Sequence, residues 1–162
     1  MIVLCAKYLF LLPPLLVLWV FWRKERDARL LLLYRGLIVL VVGFGLAKAG
    51  GALYNEPRPF VLHHFQPLIA HVADNGFPSD HTLVTAGCGF LLLAFSPPAA
   101  AIALVAAVFV GASRAACGLH SPLDIVASFL FALAANGIAT ALLRKPQRDP
   151  DVREEDHSAV AR

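Results

Sequence analysis

Three stretches of this chain run for most of a bilayer's thickness with almost no charge. Met1 to Trp22 carries only Lys7, while Thr82 to Ser113 and Ile125 to Leu143 carry no charge at all. A fourth stretch, Leu31 to Leu53, keeps its two charges near its ends, at Arg35 and Lys48. A helix crosses a bilayer with about 20 apolar residues. A charged group at its centre costs roughly 2.5–3.5 kcal/mol or more. Stretches of this kind therefore belong in hydrocarbon.

The whole composition agrees. Apolar residues make up 59% and charged residues 15%, with a mean hydropathy of +0.70. Soluble domains carry about 45–50% apolar and about 25% charged residues. The difference excludes a disordered chain and argues against a soluble enzyme. Cys5, Cys88 and Cys117 are too few and too scattered for a disulfide framework or a zinc site.

The expected fold is an all-α integral membrane helical bundle of about five spans, over 1–22, 31–53, 82–95, 99–113 and 122–143. A polar tail over 144–162 follows. The first span reads as retained rather than as a signal peptide. Its basic cluster follows the apolar stretch, and no small-residue cleavage site is evident. Pro13-Pro14 predicts a kink or local break in it. Ser96-Pro97-Pro98 reads as a tight turn between two runs that are each shorter than a crossing. They form either a hairpin sunk below the surface or two spans lengthened by polar flanking turns. Tyr54 to Asp80, with several prolines and three histidines, reads as a surface loop.

Five crossings put the two chain ends on opposite faces. Ten basic residues (Arg23, Lys24, Arg26, Arg29, Arg35, Arg144, Lys145, Arg148, Arg153 and Arg162) fall on one side. Lys7, Lys48, Arg58 and Arg114 fall on the other. The positive-inside rule puts the tail in the cytoplasm and the 54–80 loop outside. Topology thus accounts for the pI of about 9.0, and the expectation is no nucleic acid partner.

Three polar stretches interrupt this apolar chain at span ends, and the topology brings them to the outer face. They are Glu56-Pro57-Arg58-Pro59-Phe60 with Lys48 upstream, Phe77-Pro78-Ser79-Asp80-His81, and Ser113-Arg114 followed by His120 and Asp124. Removing a phosphate needs a nucleophile, a proton donor for the leaving oxygen, and cations around the phosphoryl oxygens. A neutral imidazole attacks through one nitrogen when a partner fixes the proton on the other. Asp124, four residues after His120, is placed to do that from the first turn of a helix capped by Ser121 and opened by Pro122. His81 is the candidate acid and base, at a helix start that favours anions. Ser79 is a candidate donor to a phosphate oxygen. Arg58 and Arg114 offer planar, permanently charged forks. The arrangement requires no metal.

These stretches resemble the signature of the type-2 phosphatidic acid phosphatase superfamily, integral membrane relatives of the vanadium haloperoxidases. The resemblance covers roughly Lys48 to Asp124, and the third element, Ser-Arg-x5-His-x3-Asp, matches at every defined position. It implies a phosphohistidine on His120, oriented by Asp124, with His81 as acid then base. Arg58, Ser79, Arg114 and Lys48 would bind phosphate, and no cofactor or metal is implied. Pro-Arg-Pro-Phe and Phe-Pro-Ser-Asp-His are similar to the bacterial undecaprenyl-diphosphatase branch associated with bacitracin resistance. That branch implies a lipid pyrophosphate substrate and a bacterial inner-membrane location. Phosphatidylglycerol phosphate, phosphatidic acid and lipid A remain alternative substrates. A non-catalytic lipid-phosphate binder or transporter is the alternative of another class.

Two features depart from the family pattern. Asp80 stands where the general signature has Gly. Lys48 lies ten residues before Arg58, whereas the family spaces that pair by seven. Glu56 and Asp80 either tune the histidines, repel wrong substrates or are simply solvated. His63, His64 and His71 lack matched partners and read as interfacial side chains.

Overall fold

The computed structural model describes residues 1–144, so the tail expected over 144–162 lies outside the described residues beyond Arg144. The described residues fold into helices and connecting loops. They are α1 (Ile2–Tyr8), a 3-10 turn (Leu9–Leu11), α2 (Leu12–Arg23), α3 (Arg26–Leu53) and α4 (Pro59–Leu62). After them come α5 (Asp80–Leu92), α6 (Pro97–Ala116) and α7 (Pro122–Leu142). Four helical units, with Ile2–Arg23 counted as one, are long and apolar enough to cross a membrane.

The first unit is locally broken, passing into 3-10 geometry just ahead of its two prolines. Pro13 and Pro14 lack the N–H groups that would bond the carbonyls of Leu9 and Phe10, so the chain tightens into the turn at Leu9–Leu11 and restarts as α2. At the next hairpin, Pro97 and Pro98 occupy the first turn of α6, where missing donors cost nothing. This helix is longer than the run over 99–113. It continues through Ser113 and Arg114 to Ala116, reaching 20 residues, about 30 Å at the usual rise. The Ser113 hydroxyl donates to the Val110 carbonyl at 2.8 Å, which keeps this polar residue compatible with the helix. The second apolar run over 82–95 forms a helix of only 13 residues, about 20 Å.

That short helix, α5, is the centre of the bundle. It packs against α2, α3, α6 and α7, and eight of its residues are buried. Small side chains allow this closeness. Ala99, Ala100, Ala103, Ala106 and Ala107 of α6 are buried, as are Ala127, Ala132, Ala135 and Ala139 of α7. A β-carbon added to Gly89 of α5 would stand 2.6 Å from the Leu104 side chain. Outward, Leu33, Leu37, Leu40, Val105, Phe109, Leu130 and Leu133 are each more than half exposed. An apolar surface that continuous suits lipid.

Two polar side chains of α7 inside the bundle donate to backbone carbonyls, which offsets the cost of their burial. Ser128 of α7 shares its proton between the carbonyls of Ser79 (2.9 Å) and Asp124 (2.7 Å). Asn136 donates to the Gly87 carbonyl at 3.3 Å and to that of Ala132 at 3.0 Å. At the end opposite the 54–79 loop, Arg35 of α3 donates to the Thr140 hydroxyl of α7. These bonds fix α7 against α5 and α3, and with it the residues at its start.

Candidate active site

The turn between α6 and α7 carries His120. Gly118 takes φ of +78° there, a left-handed conformation that suits glycine, and a β-carbon would lie 2.5 Å from the Phe65 ring. The turn then enters α7 through a capping box. The Ser121 hydroxyl accepts from the Asp124 N–H at 3.2 Å, and Asp124 Oδ2 accepts from the Ser121 N–H at 2.8 Å. The Asp124 carboxylate, at the third helical position, is thereby held next to the imidazole. Asp124 Oδ2 lies 3.3 Å from His120 Nδ1.

A second acceptor faces the same nitrogen. The Gly76 carbonyl is 2.9 Å from His120 Nδ1. A carbonyl oxygen only accepts, so Nδ1 carries the proton and donates it. Nε2 keeps the lone pair, and it faces Arg58 Nη1 at 3.4 Å. The imidazole is almost fully enclosed, with 3% exposure, and Asp124 is wholly buried. Burial is the largest influence on His120 and lowers its pKa below the ordinary 6.5; Asp124 opposes this, while Arg58 and Arg114 add to it. His120 is therefore neutral near pH 7, with its free nitrogen aimed into the site.

Gly76 reaches this position because its loop is stitched to the helices. Asn75 does most of the stitching. Its Oδ1 accepts from the N–H groups of Glu56 (3.0 Å) and Phe77 (2.9 Å). Its Nδ2 donates to the carbonyls of Gly51 (2.9 Å) and Tyr54 (3.1 Å). The Gly76 N–H donates to the Glu56 carbonyl at 2.8 Å, and Pro57 and Asn75 form an antiparallel bridge. Further along, the Phe60 N–H donates to Gly118 and the Leu68 N–H to Cys117. The surface loop thus forms one wall of the site. Asn75 and Gly76 escape a motif-based reading; their only sequence signal is the Asn-Gly pair, which marks a turn.

Together these elements enclose a cavity of about 480 Å³, lined by Lys48, Arg58, His71, Asp74, Asp80, His81, Arg114 and His120. Its other walls include Ala47, Gly51, Ala52, Phe77 and Pro78. Of the residues singled out in the sequence, Lys48, Arg58, His81, Arg114 and His120 share this cavity, and Asp124 stands behind His120. Ser79 does not line it. Ser79 is fully buried, and its hydroxyl accepts from that of Thr82 at 3.1 Å. Arg58 and Arg114 are buried, at 6% and 5% exposure, although both are cations. His81 stands at the start of α5, and the Phe10 ring from the 3-10 turn packs edge-on against it at 4.8 Å. His63 and His64 are exposed and outside the cavity, whereas His71 is on its rim.

The unusual spacing of Lys48 has a local cause. Seven residues before Arg58 stands Gly51, where an added β-carbon would lie 3.0 Å from the Phe77 carbonyl oxygen. A side chain there would press on the loop backbone, which would have to give by a few tenths of an ångström. Lys48 lies one turn earlier on the same face of α3 and lines the same cavity.

Among the described residues, no group of three or more His, Cys, Asp or Glu side chains is gathered to hold a metal ion. Cys5, Cys88 and Cys117 are free thiols, so Cys5 and Cys117 form no disulfide.

Residues 27–148 match the sequence model of the PAP2 superfamily. This chain is a member of the PAP2 superfamily. Among curated relatives, it is 37% identical over 140 residues to the bacitracin transport permease protein BcrC of Bacillus licheniformis, covering 85% of this chain and 65% of that protein. It is 33% identical to the undecaprenyl-diphosphatase BcrC of Bacillus subtilis strain 168, over 74% of this chain and 60% of that protein. To the putative undecaprenyl-diphosphatase YbjG of Escherichia coli K12 the identity is 32%, over 77% and 63%. The chain thus spans less than two thirds of the length of these relatives. A crystal structure of a transmembrane PAP2-type phosphatidylglycerolphosphate phosphatase from Bacillus subtilis has a similar fold. The TM-score is 0.57 at 25% identity, covering 91% of this chain and 75% of that one. Membership in PAP2 and the four membrane-length helices make this a multi-pass membrane protein.

Proposed function

We propose that this protein is a lipid phosphatase that removes the terminal phosphate of a lipid pyrophosphate, with undecaprenyl diphosphate as the leading substrate. The observation that carries this reading is His120. Its Nδ1 proton is committed to Gly76 and Asp124, and its Nε2 lone pair faces a cavity lined by Arg58, Arg114 and His81. In the reaction, Nε2 attacks the terminal phosphorus while the bond to the lipid's leaving oxygen breaks. His81 gives that oxygen its proton. His81 then takes a proton from water as the water attacks the phosphohistidine, releasing inorganic phosphate and freeing Nε2. Arg58, Arg114 and Lys48 stabilise the negative charge gathering on the phosphoryl oxygens. Ser79 contributes by holding the start of α5, where backbone N–H groups meet the cavity.

The substrate assignment draws on the two relatives named as undecaprenyl-diphosphatases. Phosphatidylglycerol phosphate is the second candidate, since the matching solved structure is a phosphatase of that lipid. One relative carries a transport name. A transporter needs the cationic cradle, but not a buried His–Asp pair across from a second histidine.

The basic residues at the other end of the bundle support a cavity that opens on the outer face, with the tail in the cytoplasm. The deciding experiment is phosphate release by the purified protein in detergent, with chelator present, across a panel of lipids. The panel holds undecaprenyl diphosphate, phosphatidylglycerol phosphate, phosphatidic acid and lipid A. Fastest release from undecaprenyl diphosphate supports the assignment; a faster rate on another lipid reassigns the substrate. Release from none of them removes the phosphatase reading.

A further inference from the structure

Two carboxylates lining the cavity, Asp74 and Asp80, have no part in the chemistry above, and Asp74 is bonded to one of its cations. Asp74 projects from the loop, 56% exposed, and its Oδ1 accepts from Arg58 Nε at 2.7 Å. The Arg58 side chain is only 7% exposed. Backbone pairing brings the two together. Pro57 and Asn75 form an antiparallel bridge, so the next residues outward, Arg58 and Asp74, stand opposite one another.

The guanidinium has five N–H donors in a rigid plane. Asp74 takes the one on Nε, and the Leu119 carbonyl takes one from Nη1 at 2.9 Å. These two acceptors on different nitrogens fix both the plane and the rotation of the fork. Nη1 is thereby held 3.4 Å from the lone pair of His120. Among the described residues Nη2 has no partner, and the fork borders the open cavity.

We propose that Asp74 is a positioning residue for Arg58, aiming the free edge of the guanidinium at the substrate's terminal phosphate beside His120. This rests on the phosphatase reading above. A carboxylate so near an anionic substrate also repels it, but Asp74 is more than half exposed and its field is screened by water. Its bond to Nε lies in the enclosed part of the site, where a donor without an acceptor is costly. Orientation therefore outweighs repulsion. Removing Asp74 leaves Nε unpaired and lets the fork swing away from Nε2.

The test compares the full chain with D74A, D74N, R58K and the double variant R58K/D74A. Two quantities are measured: steady-state release from undecaprenyl diphosphate, and the orthovanadate dissociation constant by calorimetry. Asp74 lies on the loop surface, and thermal unfolding checks that each variant is folded. D74A should lower kcat by about tenfold with KM within about threefold, because the lost alignment matters most in the transition state. Orthovanadate should bind about fivefold or more weakly to D74A. D74N keeps a carbonyl acceptor for Nε and should recover most of both losses. In the R58K background there is no fork to align, so D74A should cost less than about twofold.

Wild-type kcat and orthovanadate affinity in D74A would overturn the proposal. So would an undiminished tenfold loss in the R58K background. If wild-type protein released phosphate from no lipid, the phosphatase reading would fail separately. Orthovanadate affinity would still decide the role of Asp74, with equal values in wild type and D74A overturning it.

Discussion

The imidazole of His120 and the backbone carbonyl of Gly76 meet at 2.9 Å across 44 positions of sequence. That bond, made by a loop to a turn between two membrane helices, assigns the tautomer of the proposed nucleophile. It also puts the Asp124 carboxylate in the second position, at 3.3 Å from the same nitrogen. Under the proposed mechanism the closer Gly76 carbonyl fixes the proton on Nδ1, and the Asp124 carboxylate adds negative charge that stabilises the imidazolium-like transition state.

Asp124→Asn tests this division of labour. The amide oxygen can still accept from the Ser121 N–H, so the cap survives, but the negative charge is gone. Phosphate release should fall by about a hundredfold or more, in line with other His–carboxylate pairs. Thermal stability should stay close to wild type. A variant with wild-type turnover would show that Gly76 alone is sufficient.

The pH profile carries a definite sign. The proposed mechanism has His120 attack as the neutral form, and burial lowers its pKa below 6.5. Activity therefore persists as pH drops past 6.5 and is lost only as pH falls through the lower, folded value. In the pH dependence of kcat/KM, the acid limb assigned to His120 should have its midpoint below about 6.5. In Asp124→Asn the limb should move lower still, because the carboxylate that favours the charged ring has been removed. An acid limb that shifts upward in this variant would contradict the assignment.

Asn75 is the structural counterpart of these groups. Its amide makes four hydrogen bonds that hold the loop to the end of α3. Asn75→Ala should destabilise the protein by about 1–3 kcal/mol, since several backbone groups lose their partner at once. It should also lower the rate, because the Gly76 carbonyl is no longer held against His120. Thermal unfolding and turnover measured on the same preparation check both effects. An unchanged melting temperature would mean that the loop is held by other contacts.

What the sequence discloses here depends on the reach of each interaction. Ser121, Pro122 and Asp124 were legible because a cap is local, written within three residues. The convergence of Arg58, His81, Arg114 and His120 followed from placing three short motifs on one face of a bundle. Asn75, Gly76 and Asp74 were not legible. Two of them act on backbone groups or through them, and all three reach partners at least 16 positions away. Ser79 illustrates the reverse. Its motif position suggests contact with a phosphate, but the residue is fully buried and its hydroxyl pairs with that of Thr82 in the first turn of α5. The length of α6 was hidden for a related reason. Ser113 and Arg114 end the apolar run in sequence, yet the helix continues through them because one bonds its own backbone and the other faces the cavity.

If His120 is the nucleophile, it becomes phosphorylated during turnover. The direct measurement is rapid acid-free quenching of purified protein mixed with lipid pyrophosphate labelled in its terminal phosphate, followed by peptide mapping. The expected label is stable to base, labile to acid, confined to the peptide containing His120, and absent from His120→Ala. Turnover with no labelled protein at any time point, or a label on another residue, would contradict that role for His120.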